Sequence, residues 1–240
     1  MKDEYYKIKK ISENIYLITE SGYLERANMF LLSNKGNNLL IDCGLGLADI
    51  KEFLISKGFS NIKVTITHCH FDHIGGLKFF LPTEIVIPEY VSKNINNKRL
   101  WGLEYFKAES FNSNIEKYLH KKPKELVSQY KIKIPKFDKF EKEKIFFGKY
   151  NFDIILSPGH TDDSVMFFDK LNKILITGDV LYAGKIYDFC RNSNKKSYLK
   201  TLNLISKLDF DLVLPGHGKI LSKEQTLKIV ESLRCKIAKI

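Results

Sequence analysis

The sequence predicts an α/β protein in which two β-sheets are sandwiched between helices, a four-layer αββα arrangement with a helical insert. Three observations lead there. Strand-sized apolar runs followed by a helix occur in the first third of the chain and again in the last hundred residues. Each sheet and helix has an apolar face to bury, and stacked layers bury them together. A length of 240 residues with 44% hydrophobic content suits one domain, residues 1–240, with a sizeable core.

The elements follow in order. Residues 13–20 (E-N-I-Y-L-I-T-E) alternate loosely, and 27–33 and 38–42 are short apolar runs bounded by Gly and Asn. Between the last two, Asn34-Lys35-Gly36-Asn37 reads as a hairpin turn. Residues 47–57 carry apolar side chains at helical spacing and end on Gly58. Residues 62–67 (I-K-V-T-I-T) return to a strand pattern. The stretch 88–140 is different: it is rich in Lys, Asn and aromatics, is punctuated by Pro123 and Pro135, and reads as a helical lid inserted in the domain. Strands are expected at 152–156, 164–168, 174–177 and 211–214, with helices at 198–208 and 223–239.

Composition narrows compartment and partners. Met1-Lys2-Asp3-Glu4-Tyr5 is charged and no apolar segment follows it, so no export signal or membrane span is expected. Cys43, Cys69, Cys190 and Cys235 are scattered with no C-x-x-C pair, which fits reduced thiols in the cytoplasm. A net charge of +11 favours polyanions: nucleic acid, acidic membranes or phosphorylated cofactors such as coenzyme A. Lysine spread generally along the chain fits a solvated surface equally well.

Histidine carries the chemistry. The chain has six, and three fall in residues 67–76, T-H-C-H-F-D-H-I-G-G, at the end of an apolar strand. Imidazole nitrogen and carboxylate oxygen together suit zinc and neighbouring first-row metals. His68 and His70, two apart on extended chain, point to the same side; Asp72 and His73 follow a turn and face a second point. One short loop thus supplies ligands for two ions. Cys69 alternates away from them and reads as a buried structural thiol. His160 in S-P-G-H-T, Asp179 in T-G-D and His217 in L-P-G-H-G also sit at strand ends beside glycine. His120 reads as a surface helical residue.

This set resembles the metallo-β-lactamase-fold hydrolase superfamily: the H-x-H-x-D-H loop, then G-H-T, G-D and P-G-H-G, in the family's order, from about Ile15 to His217. The resemblance implies that His68, His70 and His160 hold a first metal, that Asp72, His73 and His217 hold a second, and that Asp179 bridges them. Two divalent ions are implied, zinc foremost, with iron or manganese as alternatives. A hydroxide held between them attacks the substrate, and Asp72 helps to orient it. Asp42, in the turn Asp42-Cys43-Gly44, is implied to orient a metal histidine, and Tyr182 to face the substrate.

Within the family, true β-lactamases replace the bridging aspartate by cysteine or serine, which this chain does not. Glyoxalase-type thioesterases share the T-H-x-H-x-D-H-x-G-G loop but add a helical glutathione-binding domain, and only 23 residues follow His217 here. The resemblance is greatest to acyl-CoA thioesterase-like members and the related lactonases. Hydrolysis of a thioester or ester is therefore expected, with acyl-CoA as the leading small-molecule substrate. On this view the insert's aromatics line an acyl pocket and its lysines meet the coenzyme A phosphates. The alternatives are a lactonase, a ribonuclease of the same fold and an iron-dependent persulfide dioxygenase.

Overall fold

The computed structural model describes residues 4–137 and 139–238, the last without its side chain. The final residue of the helix expected at 223–239, and Asp138 within the insert, lie outside the described residues.

The first sheet is a meander that ends in one parallel pair. β1 (Tyr6–Ser12), β2 (Ile15–Glu20), β3 (Asn28–Asn34) and β4 (Asn37–Ile41) run antiparallel in sequence order. α1 (Ile50–Ser56) then crosses over to β5 (Ile62–Thr65), parallel to β4. α1 starts three residues later than the periodicity suggests, because the Asp49 carboxylate caps it, accepting from the Glu52 amide at 3.0 Å. β1 escapes the sequence reading because Y-K-I-K-K-I-S carries three lysines; as an edge strand it holds them outward. Past β5 comes the one-turn helix α2 (Phe71–Ile74).

Residues 88–140 are less helical than their composition suggests. β6 (Ile87–Pro88) leads into α3 (Glu89–Ser92), α4 (Ile115–Leu119) and α5 (Pro123–Gln129), and β7 (Phe140–Glu141) pairs back to β6. The rest is 3-10 turns and irregular chain, because asparagine and Gly102 interrupt helical runs, while Pro123 opens α5. Trp101, Phe106 and Phe111 are buried in the core beside Tyr23 and Phe71.

The second sheet follows. β8 (Lys144–Phe147), β9 (Tyr150–Leu156), β10 (Val165–Asp169) and β11 (Ile174–Gly178) pair antiparallel in turn. α6 (Lys195–Ile205) then crosses to β12 (Leu212–Pro215), parallel to β11, and β13 (Leu221–Ser222) and α7 (Lys223–Ala238) finish the chain. α6 begins three residues earlier than expected, at the cap where Asn194 accepts from the Ser197 amide.

Strand alternation divides the core in two. Val165, Phe167, Ile174, Ile176 and Leu214 face the first sheet and join its buried side chains. Met166, Phe168, Leu175 and Val213 face the other way, onto Tyr198, Leu202 and Ile205 of α6 and Val230 of α7. Burial of each such side chain contributes about 1.5–3 kcal/mol. The αββα layering follows, and it leaves the ends of β4, β5, β11 and β12 at one edge. No described helix is long and apolar enough to cross a membrane.

Candidate metal centre

The loop after β5 is held by the turn after β4. Asp42 sits there with φ +61°, and its carboxylate accepts from the Thr67 amide at 2.8 Å and from the Thr67 hydroxyl at 3.0 Å. The chain then stays extended through His68-Cys69-His70, with His70 at the N-terminal cap of α2. His68 and His70 project together, while Asp72 and His73 ride the first turn of α2. Cys69 points away, fully buried, with its sulfur 3.6 Å from the Val91 carbonyl.

Three more loops deliver His160, Asp179 and His217 to the same point. Ligand atoms of His68, His70, His160 and Asp179 lie within 4.8 Å of one another, and so do those of Asp72, His73 and His217. Asp179 joins the groups: its Oδ2 is 3.6 Å from His160 Nε2 and 3.2 Å from His217 Nε2, and its Oδ1 is 3.2 Å from His73 Nε2. All seven residues expected at the centre are therefore brought together. His120 stands apart, exposed at the C-terminal end of α4 with φ +53°.

Outer contacts orient the rings. His73 Nδ1 is 2.8 Å from Asp42, His160 Nδ1 is 2.7 Å from the Tyr187 carbonyl, and His217 Nδ1 is 3.0 Å from the Arg26 carbonyl. Each such bond fixes the Nδ1–H tautomer and turns a lone pair on Nε2 inward. His68 Nδ1 shares a hydrogen bond with the Thr67 hydroxyl at 3.0 Å. Burial holds His68 and His70 well below the usual histidine range, and His160 below it, favouring the neutral form that binds metal. Burial also opposes charge on His73 and His217, but Asp179 foremost outweighs it and lifts both.

The cluster fits metal ions on its own chemistry. His68 Nε2, His73 Nε2 and Asp179 Oδ1 are buried without a hydrogen-bond partner. Leaving such atoms unpaired costs about 1–3 kcal/mol each. Five imidazoles and two carboxylates converging in two groups suit two divalent ions.

Three further residues shape the centre. Asn28 donates from Nδ2 to the carbonyls of Pro215 and Gly218, at 2.9 Å each, and so fastens the loop that carries His217. At Gly216 an added Cβ would lie 2.3 Å from Asp179 Oδ1. Glu20, 1% exposed, accepts from the Leu45 amide at 3.0 Å and from the Tyr5 hydroxyl at 3.2 Å, bracing the turn beyond Asp42. Asn28 and Glu20 sit on apolar strands, where a polar residue among buried neighbours is the signal.

A cavity of about 420 Å³ opens over the cluster. Tyr23, Phe71, Tyr105, Tyr182 and Tyr187 contribute its aromatic wall, and Arg26 and Lys185 its cations. Among the described residues of 88–140, Tyr105 is the one aromatic that reaches it, and no lysine lines it. Tyr182 lies with its ring 5.2 Å from that of His217, while its hydroxyl donates to the Lys185 carbonyl at 2.9 Å. Burial pushes that hydroxyl well above the usual tyrosine range. The Tyr187 hydroxyl donates to Glu25 across the mouth.

Residues 22–217 match the family model of the metallo-beta-lactamase superfamily. The chain is 26% identical to human acyl-coenzyme A thioesterase MBLAC2 over 249 aligned positions, which cover 95% of this chain and 87% of that protein. It is 27% identical over 218 positions to hydroxyacylglutathione hydrolase GloC of Haemophilus influenzae, covering 85% of this chain and 91% of that one. Among solved structures, a metallo-beta-lactamase from Pontibacter korlensis superposes with a TM-score of 0.68 at 16% identity, over 98% of this chain and 100% of that chain. DIM-1 metallo-beta-lactamase gives 0.68 at 18% identity, over 100% and 99%. The structural likenesses show the fold; the family match and the hydrolase relatives carry the activity class. The chain belongs to the metallo-β-lactamase superfamily and is a metal-dependent hydrolase.

Proposed function

We propose that the protein hydrolyses thioesters, with acyl-CoA as the leading substrate, at a dinuclear centre. His68, His70 and His160 would hold one ion and Asp72, His73 and His217 the other, with Asp179 shared. The observation that carries this reading is the Asp179 carboxylate lying within 3.6 Å of imidazoles from both groups. Bound divalent ions supply an activated water and polarise the substrate carbonyl.

The chain's own groups do the rest. Asp42, the Tyr187 carbonyl and the Arg26 carbonyl keep three imidazoles aimed inward, so no reorganisation is needed at the moment of reaction. Asp72, with Oδ2 3.4 Å from His217 Nε2, would help to orient the attacking water. Tyr182 can donate to a developing oxyanion once its hydroxyl leaves the Lys185 carbonyl. A cavity of 420 Å³ takes a thioester and several carbons, not a whole acyl-CoA. The nucleotide would then lie outside, past Arg26 and Lys185, and residues 88–140 would cover the cavity from the Tyr105 side.

The relatives support the thioester class: one is named an acyl-CoA thioesterase and another a hydroxyacylglutathione hydrolase. The test is thiol release from short- and long-chain acyl-CoA by zinc-loaded protein, with Asp179→Ala as control. Release that disappears in the variant is expected. Absence of release from the loaded wild type would exclude acyl-CoA.

A further inference from the structure

The net charge is not spread evenly. Residues 117–136 hold seven lysines and a single acid, Glu125, so they carry +6 of the chain's +11. The fold gathers part of this charge around a second cleft of about 390 Å³, lined by Lys78, Lys121, Lys131 and Lys133 over Leu126 and Tyr130. No residue lines both this cleft and the cavity over the His/Asp cluster.

The cations there are poorly compensated. Lys78 is half-buried, and its ammonium stands 5.0 Å from the centre of the Phe79 ring. Burial, then the Lys133 charge, pushes Lys78 down from the usual lysine range, against an opposing pull from Asp49. Lys121 donates to the neutral Gln129 amide oxygen at 2.8 Å. Among the described residues none of the four lysines makes an ion pair, no acid lines the cleft, and Glu125 accepts from the Gln129 amide at 3.4 Å. Four like charges around a concavity repel one another, and a multivalent anion seated among them would relieve that repulsion.

We propose that this cleft is a binding site for a small, multiply phosphorylated anion, separate from the metal centre and independent of the substrate proposed above. A concave site suits a compact ligand. A single-stranded nucleic acid would call for a groove with a row of exposed aromatics for base stacking. Here the one aromatic, Tyr130, packs its ring against Phe106, with centroids 4.2 Å apart, and has its hydroxyl committed to the carbonyls of Leu45 and Phe71, at 2.8 and 3.2 Å. That bond also places the cleft's wall directly behind the chain between His70 and Asp72.

The test is calorimetric titration of inorganic pyrophosphate into zinc-loaded protein, compared with a Lys131→Gln/Lys133→Gln double variant. Both positions are exposed, so folding is not at stake. Binding that weakens at least about tenfold in the variant, with a shallower salt dependence, is expected. Any pyrophosphate held by the zinc ions alone would bind the variant as it binds the wild type, and that result overturns the proposal. So does absence of binding to the wild type. A short single-stranded RNA that binds more tightly than pyrophosphate, and loses affinity in the same variant, would replace the small ligand with nucleic acid. As a second variant, Lys78→Met should melt higher than wild type without pyrophosphate and gain less from its addition; an unchanged gain contradicts the site.

Discussion

The Nδ1 atom of His73 lies 2.8 Å from Asp42 Oδ2, a contact made inside the protein by two residues 31 positions apart. The same carboxylate accepts from the Thr67 amide and hydroxyl, so it sets both the start of the metal loop and the tautomer of one ring. Asp42→Asn keeps the shape but can turn an amide N–H toward His73. The ring would then carry its proton on Nε2, where the ion must bind. Zinc affinity is expected to fall about 10–100-fold, measured by competition with a chromophoric chelator. Wild-type affinity in the variant would show that the contact does not tune the site.

Gly216 leaves the space that the Asp179 carboxylate occupies. A methyl group there would meet Oδ1 at 2.3 Å and the carbonyl carbon and oxygen of Gly178 at 2.7 and 2.9 Å, so Gly216→Ala must displace the carboxylate together with the strand end that carries it. The variant should fold, with an unchanged circular dichroism spectrum, yet hold fewer zinc ions than the wild type by elemental analysis. Full zinc content would mean that the carboxylate is not needed where it stands.

Asn28 fastens the loop from the other side. Asn28→Ala leaves two carbonyls, those of Pro215 and Gly218, without their donor. The expected loss is about 1–3 kcal/mol in urea unfolding. Because His217 rides the same loop, zinc binding should weaken as well. A purely structural asparagine would lower stability and leave zinc affinity alone.

Glu20 makes stability depend on pH. Burial foremost lifts its carboxyl from 4.5 to about 8, against lowering by the Leu45 amide and the Tyr5 hydroxyl. Between those values the unfolded chain has lost the proton and the folded chain keeps it. The folded state binds more protons, so this group's contribution to stability falls as pH rises through that window, by about 1.4 kcal/mol per unit at most. Above about 8 the loss is complete and the contribution levels off. In metal-free protein Glu20→Gln should flatten the decline between pH 5 and pH 7 in urea titrations; parallel wild-type and variant curves would contradict the assignment.

The sequence made the cluster legible because its members stand at strand ends beside glycine, where local chemistry and position coincide. His68, His70, Asp72 and His73 share ten residues; His160, Asp179 and His217 needed the motif as well as the strand pattern. Asn28 and Glu20 stayed hidden because their partners, Gly218 and Leu45, lie 190 and 25 residues away. β1 was hidden by its lysines, which an edge strand tolerates and a buried strand does not. The stretch 88–140 reads as helical because it is long and rich in Lys and aromatics. Its asparagines and Gly102 break it into short segments, Pro123 opens one of them, and burial of Trp101, Phe106 and Phe111 holds the irregular stretch in place.

The most direct test of the dinuclear centre is an anomalous-scattering map at the zinc edge from crystals of the zinc-loaded protein. The account predicts two peaks, one among His68, His70 and His160 and one among Asp72, His73 and His217, with Asp179 reaching both. A single peak, or two peaks that Asp179 does not join, would contradict it.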